Sequence, residues 1–169
     1  MDINLRHLIA CSTSGLLLVV LAPVTASAAP AEMTPEQAGA FYLRHECRNN
    51  VALFLFIDEV TRNGYIRPAD VEKRFSRFKK ETRKLGVAQT RFATNLLAPP
   101  DLWPAPVAGS VQAVADAGLR SGDLLGRAAE ASKPQGWWRK FRKANRQMIE
   151  VEDGKTEIRT LLNLSETEC

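Results

Sequence analysis

The stretch TPEQAGAFYLRHECRNNVALFLFIDEVTR, residues Thr34 to Arg62, decides the fold. Its first residues spell a helix start: Thr34 can cap, Pro35 suits the first turn, and Gln37 completes a capping box with Thr34. Asn63-Gly64 follows its last residue, and a glycine there can take the left-handed conformation that ends a helix. Inside it, Val51 to Ile57 is apolar without a break. Two turns of helix that are apolar on every side need cover on every side. The reading is a central helix with the remaining helices packed around it.

Upstream, Arg6 stands in a short polar start, Gly15 to Leu21 forms an apolar core, and Ala26-Ser27-Ala28 precedes Ala29 in the small-x-small pattern that signal peptidase cleaves. We expect residues 1–28 to be a signal peptide, cleaved after Ala28, and 29–169 to be one exported helical domain, secreted or held at the cell envelope. Leu8-Ile9-Ala10-Cys11 matches a lipobox by its letters. Cys11 precedes the apolar core, however, leaving too little hydrophobic length ahead of a lipidated cysteine, and the apolar run is short for a membrane span. Cleavage removes Asp2 and Arg6 together, so the formal net charge of +4 is unchanged. A balance that modest permits an anionic partner without demanding one. Cleavage also removes Cys11 and leaves Cys47 and Cys169, an even pair in an oxidising compartment, whose bonding is the natural expectation. Closing so long a loop contributes about 4 to 5 kcal/mol on the chain-entropy account. Two free thiols or an intermolecular bridge is the opposing reading.

Downstream, Pro68 opens a second helix that Pro99-Pro100 stops near Ala98. Val71, Phe75, Phe78, Thr82, Leu85, Gln89, Phe92 and Leu96 alternate by four and three, the seam of a helix in a bundle with shallow crossing angles. Pro99 to Pro106 reads as a stiff crossing whose Trp103 packs back on the bundle end; a proline-rich ligand for a partner domain is the alternative. A third helix, about Val107 to Ala131, carries Gly109, Gly118, Gly122 and Gly126. The last three recur every fourth residue, on one face, and each costs about 1 kcal/mol relative to alanine, so a close helix contact is expected there. Arg120, Asp123 and Arg127 exclude the lipid setting in which the same spacing joins membrane helices. Ser132 and Gln135 make a second capping box, and the fourth helix has the seam Trp137, Phe141, Ala144, Met148, Val151, Lys155, Ile158, Leu162. Its phase holds through Asp153-Gly154, which predicts one helix rather than two. The whole is an all-α, up-down-up-down four-helix bundle closed by a disulfide.

Catalytic chemistry finds little support. His45, Glu46 and Cys47 are consecutive, and helical neighbours point about 100° apart, so they do not converge on a metal or a substrate. Asp58 and Glu59 adjoin in the same way and, late in a helix, call for a cation; an ion pair with Arg62 or with the basic face of the second helix is the simpler reading. Asn49 and Asn50 are either solvent-facing or a polar layer fixing register. No zincin pair, nucleophile elbow, phosphate loop or dinucleotide turn occurs. We expect no enzyme, no cofactor and no metal.

Charge placement says more. Lys73, Arg74, Arg77, Lys79, Lys80, Arg83 and Lys84 face only Glu72 and Glu81, and Lys133 to Ile149 holds Arg139, Lys140, Arg142, Lys143 and Arg146 beside Trp137 and Trp138 with no acid. From Glu150 onward acids dominate. Parallel second and fourth helices would place both basic halves at one end. That end is a solvated face with Trp137 in the core and Trp138 capping it, or a surface for an anionic partner: lipid headgroups, cell-wall polyanion or an acidic protein. Nucleic acid would use the same cations, but export of the chain argues against it. The residues assigned to an anionic partner are Lys73, Arg74, Arg77, Lys80, Arg83, Lys84, Trp138, Arg139, Lys140, Arg142, Lys143 and Arg146.

The stretches Tyr42 to Asn49 and Ile158 to Leu164, with the terminal Cys169, resemble the small exported helical proteins and lipoproteins of high-GC Gram-positive bacteria, whose first helix carries Tyr-Leu-x-x-x-Cys followed closely by Asn. The chain departs from the lipoprotein members in having no well-placed lipobox. The resemblance implies a helical bundle closed by a disulfide and carries no activity over. Two rivals to a non-enzymatic envelope protein remain: a carrier of a small apolar ligand between the helices, suggested by the glycine stripe and the phenylalanines, and a hydrolase of unrecognised type.

Overall fold

The chain from Pro30 onward builds five helices in order: α1 Pro35–Val60, α2 Pro68–Lys73, α3 Phe75–Leu97, α4 Ala105–Ala129 and α5 Pro134–Leu161. The computed structural model describes residues 30–60 and 66–165. The signal peptide, its cleavage site, Cys11, Arg62, the Asn63-Gly64 helix stop and Cys169 lie outside the described residues. The described protein is all-helical; its one β feature is an isolated bridge between Glu32 and Leu102 that ties the lead-in of α1 to the crossing before α4.

α1 starts as its residues dictate. Thr34 N–H donates to Gln37 Oε1 at 2.9 Å and Gln37 N–H to Thr34 Oγ1 at 3.2 Å, a complete capping box. The equivalent box at α5 does not form. Lys133 takes the cap position with no side-chain cap bond, and Pro134 supplies the first turn. The second predicted helix is broken: Arg74, at φ −124° and ψ 30°, separates α2 from α3. Its guanidinium reaches back to the Val60 carbonyl at 3.4 Å and lies 5.5 Å from the Phe78 ring centroid, so the kink is tied to the end of α1. α5 runs unbroken through Gly154, as its phase requires.

Residue pairs fix the directions. His45 meets Asn95 and Glu59 meets Arg77, so α1 and α3 are antiparallel. Ser110 meets Glu157 and Arg127 meets Lys140, so α4 and α5 are antiparallel too. The helix with the most extensive packing is α4, set between α3 and α5, whereas α1 packs chiefly on α3. Val51, Phe54 and Leu55 are 57%, 70% and 59% exposed. A run apolar on all sides has no phase of its own, and within it only Phe56 is fully buried, in line with Tyr42, Asn49 and Val60.

α4 reaches that position through its glycines. A Cβ on Gly118 would stand 2.9 Å from Ala93 Cβ, and one on Gly122 3.1 Å from the Gly86 carbonyl and 3.2 Å from Thr90 N. Gly86 answers from α3, its Cβ position 3.1 Å from Leu125 Cβ. Gly126 shares the spacing but not the contact, since nothing lies within 4 Å of its Cβ position. Gly126→Ala should therefore stabilise the protein by about 0.5–1 kcal/mol, read as a rise in urea midpoint at constant slope.

The core divides in two. One apolar cluster gathers Tyr42, Phe92, Leu96, Val111, Val151 and Ile158; the other gathers Phe56, Phe78, Leu85, Leu125, Trp137 and Phe141. Asn49, Gln89 and Ser121, all buried, lie between them on α1, α3 and α4. Ser121 Oγ donates to the Gly118 carbonyl at 3.0 Å and lies 3.5 Å from Gln89 Oε1. Asn49 is buried rather than solvent-facing, and neither its Oδ1 nor its Nδ2 has a hydrogen-bond partner among the described residues.

Candidate functional site

The basic segments do come together. The first turn of α5 meets α2 where Gln135 Nε2 stands 3.5 Å from Glu72 Oε1, and Trp137, at the head of the α5 seam, donates Nε1–H to Thr82 Oγ1 at 3.0 Å. Trp137 is fully buried, stacked on Phe141 at 4.6 Å and edge-on to Phe78 at 5.3 Å. Trp138 lies half-buried beside it, 6.0 Å between ring centroids. A recess of about 480 Å³ opens between α2 and α5, lined by Pro68, Glu72, Pro134, Gln135, Trp138, Arg139 and Arg142.

The twelve residues assigned from sequence do not form one set. Trp138, Arg139 and Arg142 line that recess, with Lys73 and Lys80 exposed on the helices α2 and α3. Lys143 and Arg146 turn toward α4 and line a second, more open recess with Arg120, Asp123 and Glu150, where acids stand among the cations. Arg77 is paired with Glu59 and Lys84 with Glu81; Arg74 holds Val60. Lys140 Nζ donates to the Arg127 carbonyl at 3.0 Å, on the electronegative last turn of α4. Arg83 lies in a separate groove with Gly86 and Val87.

His45, Glu46 and Cys47 diverge as their spacing requires. His45 turns to α3, where Asn95 Nδ2 lies 3.0 Å from Nδ1, and its ring sits 4.6 Å from Phe41. Burial, then Arg48 and Arg44, hold it below the usual histidine range. Glu46 turns the other way, to α5, where Arg159 Nε donates to Oε1 at 3.0 Å and Nη2 completes the ion pair 2.8 Å from Oε2. One turn along, Lys155, buried, bonds Glu152 at 2.7 Å and Asn50 at 2.9 Å. Tyr42 is buried next to them, and burial, with the Glu46 charge second, pushes its hydroxyl far up. Sequence reading missed this α1–α5 cluster because its partners are more than a hundred residues apart. Lys155 on an otherwise apolar seam was the one available signal.

Asp58 is exposed while Glu59 takes Arg77, so the adjoining acids separate into a solvated carboxylate and an ion pair. Among the described residues no cluster of three or more histidine, cysteine or acidic groups could hold a metal, and no helix is long and apolar enough to cross a membrane. Of the glycine face that suggested room for an apolar ligand, Gly118 and Gly122 meet α3, while Gly126 opens on the groove of Arg83 and Val87. Trp103 packs back as expected, its Nε1–H donating to the Leu96 carbonyl at 2.9 Å and its ring edge-on to Phe41.

What the fold and this geometry define is an all-α protein with one cationic, tryptophan-bearing end. No family model, curated protein or solved structure matches the chain.

Proposed function

We propose that the protein is a non-enzymatic, exported component of the cell envelope that docks on anionic surfaces through the shared basic end of α2, α3 and α5. The observation that carries this is the recess in which Trp138, Arg139 and Arg142 of α5 open beside α2. These cations have no ion-pair partner among the described residues, whereas Arg77 and Lys84 on the neighbouring helix do. Each basic group near an anionic membrane contributes about 1 kcal/mol, and screening limits its reach to about 8 Å at physiological salt. Arg139→Glu with Arg142→Glu should therefore remove binding to phosphatidylglycerol vesicles at low salt while leaving helix content unchanged. Wild-type protein that prefers neutral vesicles, or shows no preference at low salt, would make this end a solvated face only.

The same proposal includes an up-down-up-down arrangement of the four long helices, closed by a Cys47–Cys169 disulfide. Its support lies in how the chain leaves α5. Arg159 spans Glu46 and the Ser165 carbonyl, and Leu164 lies 2.9 Å from where a Cβ on Gly39 would stand, so the segment turns back along α1. Cys47, next to Glu46, has an interaction partner of its own. Four residues beyond Ser165 extend to about 14 Å, enough to return to Cys47. The intact mass of the exported protein should be two hydrogens below the reduced value; two alkylatable thiols in denaturant without reductant would refute the bond.

A further inference from the structure

Three large apolar side chains of α1 stand in solvent at the basic end. Glu59 pairs with Arg77, Val60 accepts from Arg74, and Phe56 lies 5.6 Å from Phe141, so α1 from Phe56 to Val60 runs beside the start of α3 and the first half of α5. Just before that segment, between Asn50 and Phe56, Val51, Phe54 and Leu55 are each more than half exposed. Ile149 of α5 is also exposed, at 54%. It lies on the helical row that begins with Trp138 and Arg142 and runs on to Glu152, which lines the α1–α5 cleft with Asn50. Phe54, one turn beyond Asn50, borders the same side from α1.

We infer that these exposed apolar side chains form a strip that beds into the outer acyl region of an anionic bilayer, with Trp138 and Arg142 at headgroup level. The inference rests on the proposed docking by the basic end and names its partner as a lipid surface. The combination decides between anions. Phosphate polymers and acidic polypeptides satisfy cations but offer nothing to Val51, Leu55 and Ile149, whereas a bilayer offers headgroup charge and hydrocarbon side by side. Tryptophan beside arginine at the border of an apolar surface is the arrangement that suits the interface itself.

The test compares two variants on phosphatidylglycerol/phosphatidylcholine vesicles and on immobilised polyphosphate. The substituted side chains are exposed, and thermal midpoints confirm that both variants fold. Wild-type protein should keep part of its vesicle binding at physiological salt, and Phe54→Ser with Leu55→Ser should reduce that part at least tenfold, about the value of one fully buried apolar side chain. Polyphosphate binding should not change. Equal vesicle binding by wild type and the serine variant overturns the strip, while vesicle binding that survives Arg139→Glu with Arg142→Glu at low salt overturns the basic docking on which it rests. Sedimentation velocity supplies the remaining outcome: a wild-type dimer that the serine pair dissociates would make the strip a contact between two copies, and would overturn the inference as well.

Discussion

Gly122→Leu should lower the stability of the protein by about 3 kcal/mol, whereas Gly109→Leu should change it by less than about 0.5 kcal/mol. Both substitutions replace a glycine of α4, so helix propensity gives them the same small gain. The difference lies in what the new side chain meets. At Gly109 nothing stands within 4 Å of the Cβ position. At Gly122 even the first carbon meets Thr90 Oγ1 at 2.2 Å, and behind that hydroxyl, which can rotate, stand the Gly86 carbonyl at 3.1 Å and Thr90 N at 3.2 Å, which cannot. Backbone on both sides leaves only one relaxation, a separation of α3 from α4, and that opens packing along both clusters. Gly118→Leu should fall between, because its near neighbour is the Ala93 methyl. Urea denaturation of the three variants measures the order; equal midpoints would show that the glycine contact does not hold the helices.

Arg159→Met and Lys155→Met should move stability in different ways although both delete one cation from the same cleft. Removing Arg159 leaves Glu46, 3% exposed at its side chain, with its charge buried and its ion pair and hydrogen bond gone; such a loss costs about 3–5 kcal/mol. Removing Lys155 leaves Glu152, whose side chain is 44% exposed and can turn to water. Lys155 itself is 3% exposed at its side chain and lies 5.4 Å from the Phe92 ring, and methionine of similar length would fill that space without a charge to desolvate. Lys155→Met is expected within about 1 kcal/mol of wild type, in either direction. Glu46→Gln combined with Arg159→Met should recover most of the loss of the single variant. A double variant no more stable than Arg159→Met would mean that the bonds, not the stranded charge, carried the energy.

Much of this was legible in the residues. The Thr34-Gln37 box, the α3 and α5 seams, the passage through Gly154 and the buried Trp137 all follow from local spacing, and local spacing is what a sequence displays. The centre of the fold was not legible, because Val51 to Ile57 is apolar at every angle and a run without phase says how much it would bury, not whether a neighbour is there to bury it. The helix with the weaker appearance, α4, is central because its glycines admit α3 at backbone distance. The break at Arg74 carries no proline or glycine to mark it, and the bond that accompanies it, to Val60, is long-range.

The site divides along the same line. Clustering of arginine and lysine near Trp138 was visible as composition along the chain. Its partition was not: whether a cation of α5 opens beside Trp138 or turns to Asp123 depends on where α4 lies. The Glu46–Arg159 pair could not be read at all, since it joins residues with no local relation.

Docking through one end is tested most directly by oxidative side-chain footprinting of the protein with and without phosphatidylglycerol vesicles. Exposed apolar groups at both ends make the comparison internal: Phe54, Leu55 and Ile149 near the basic recess, Leu97, Leu102 and Leu161 at the far end, all at least 42% exposed. The account predicts that vesicles shield Phe54, Leu55, Ile149 and Trp138 while Leu97, Leu102 and Leu161 are oxidised as before. Shielding of the far-end leucines instead, or equal shielding of both sets, would contradict it.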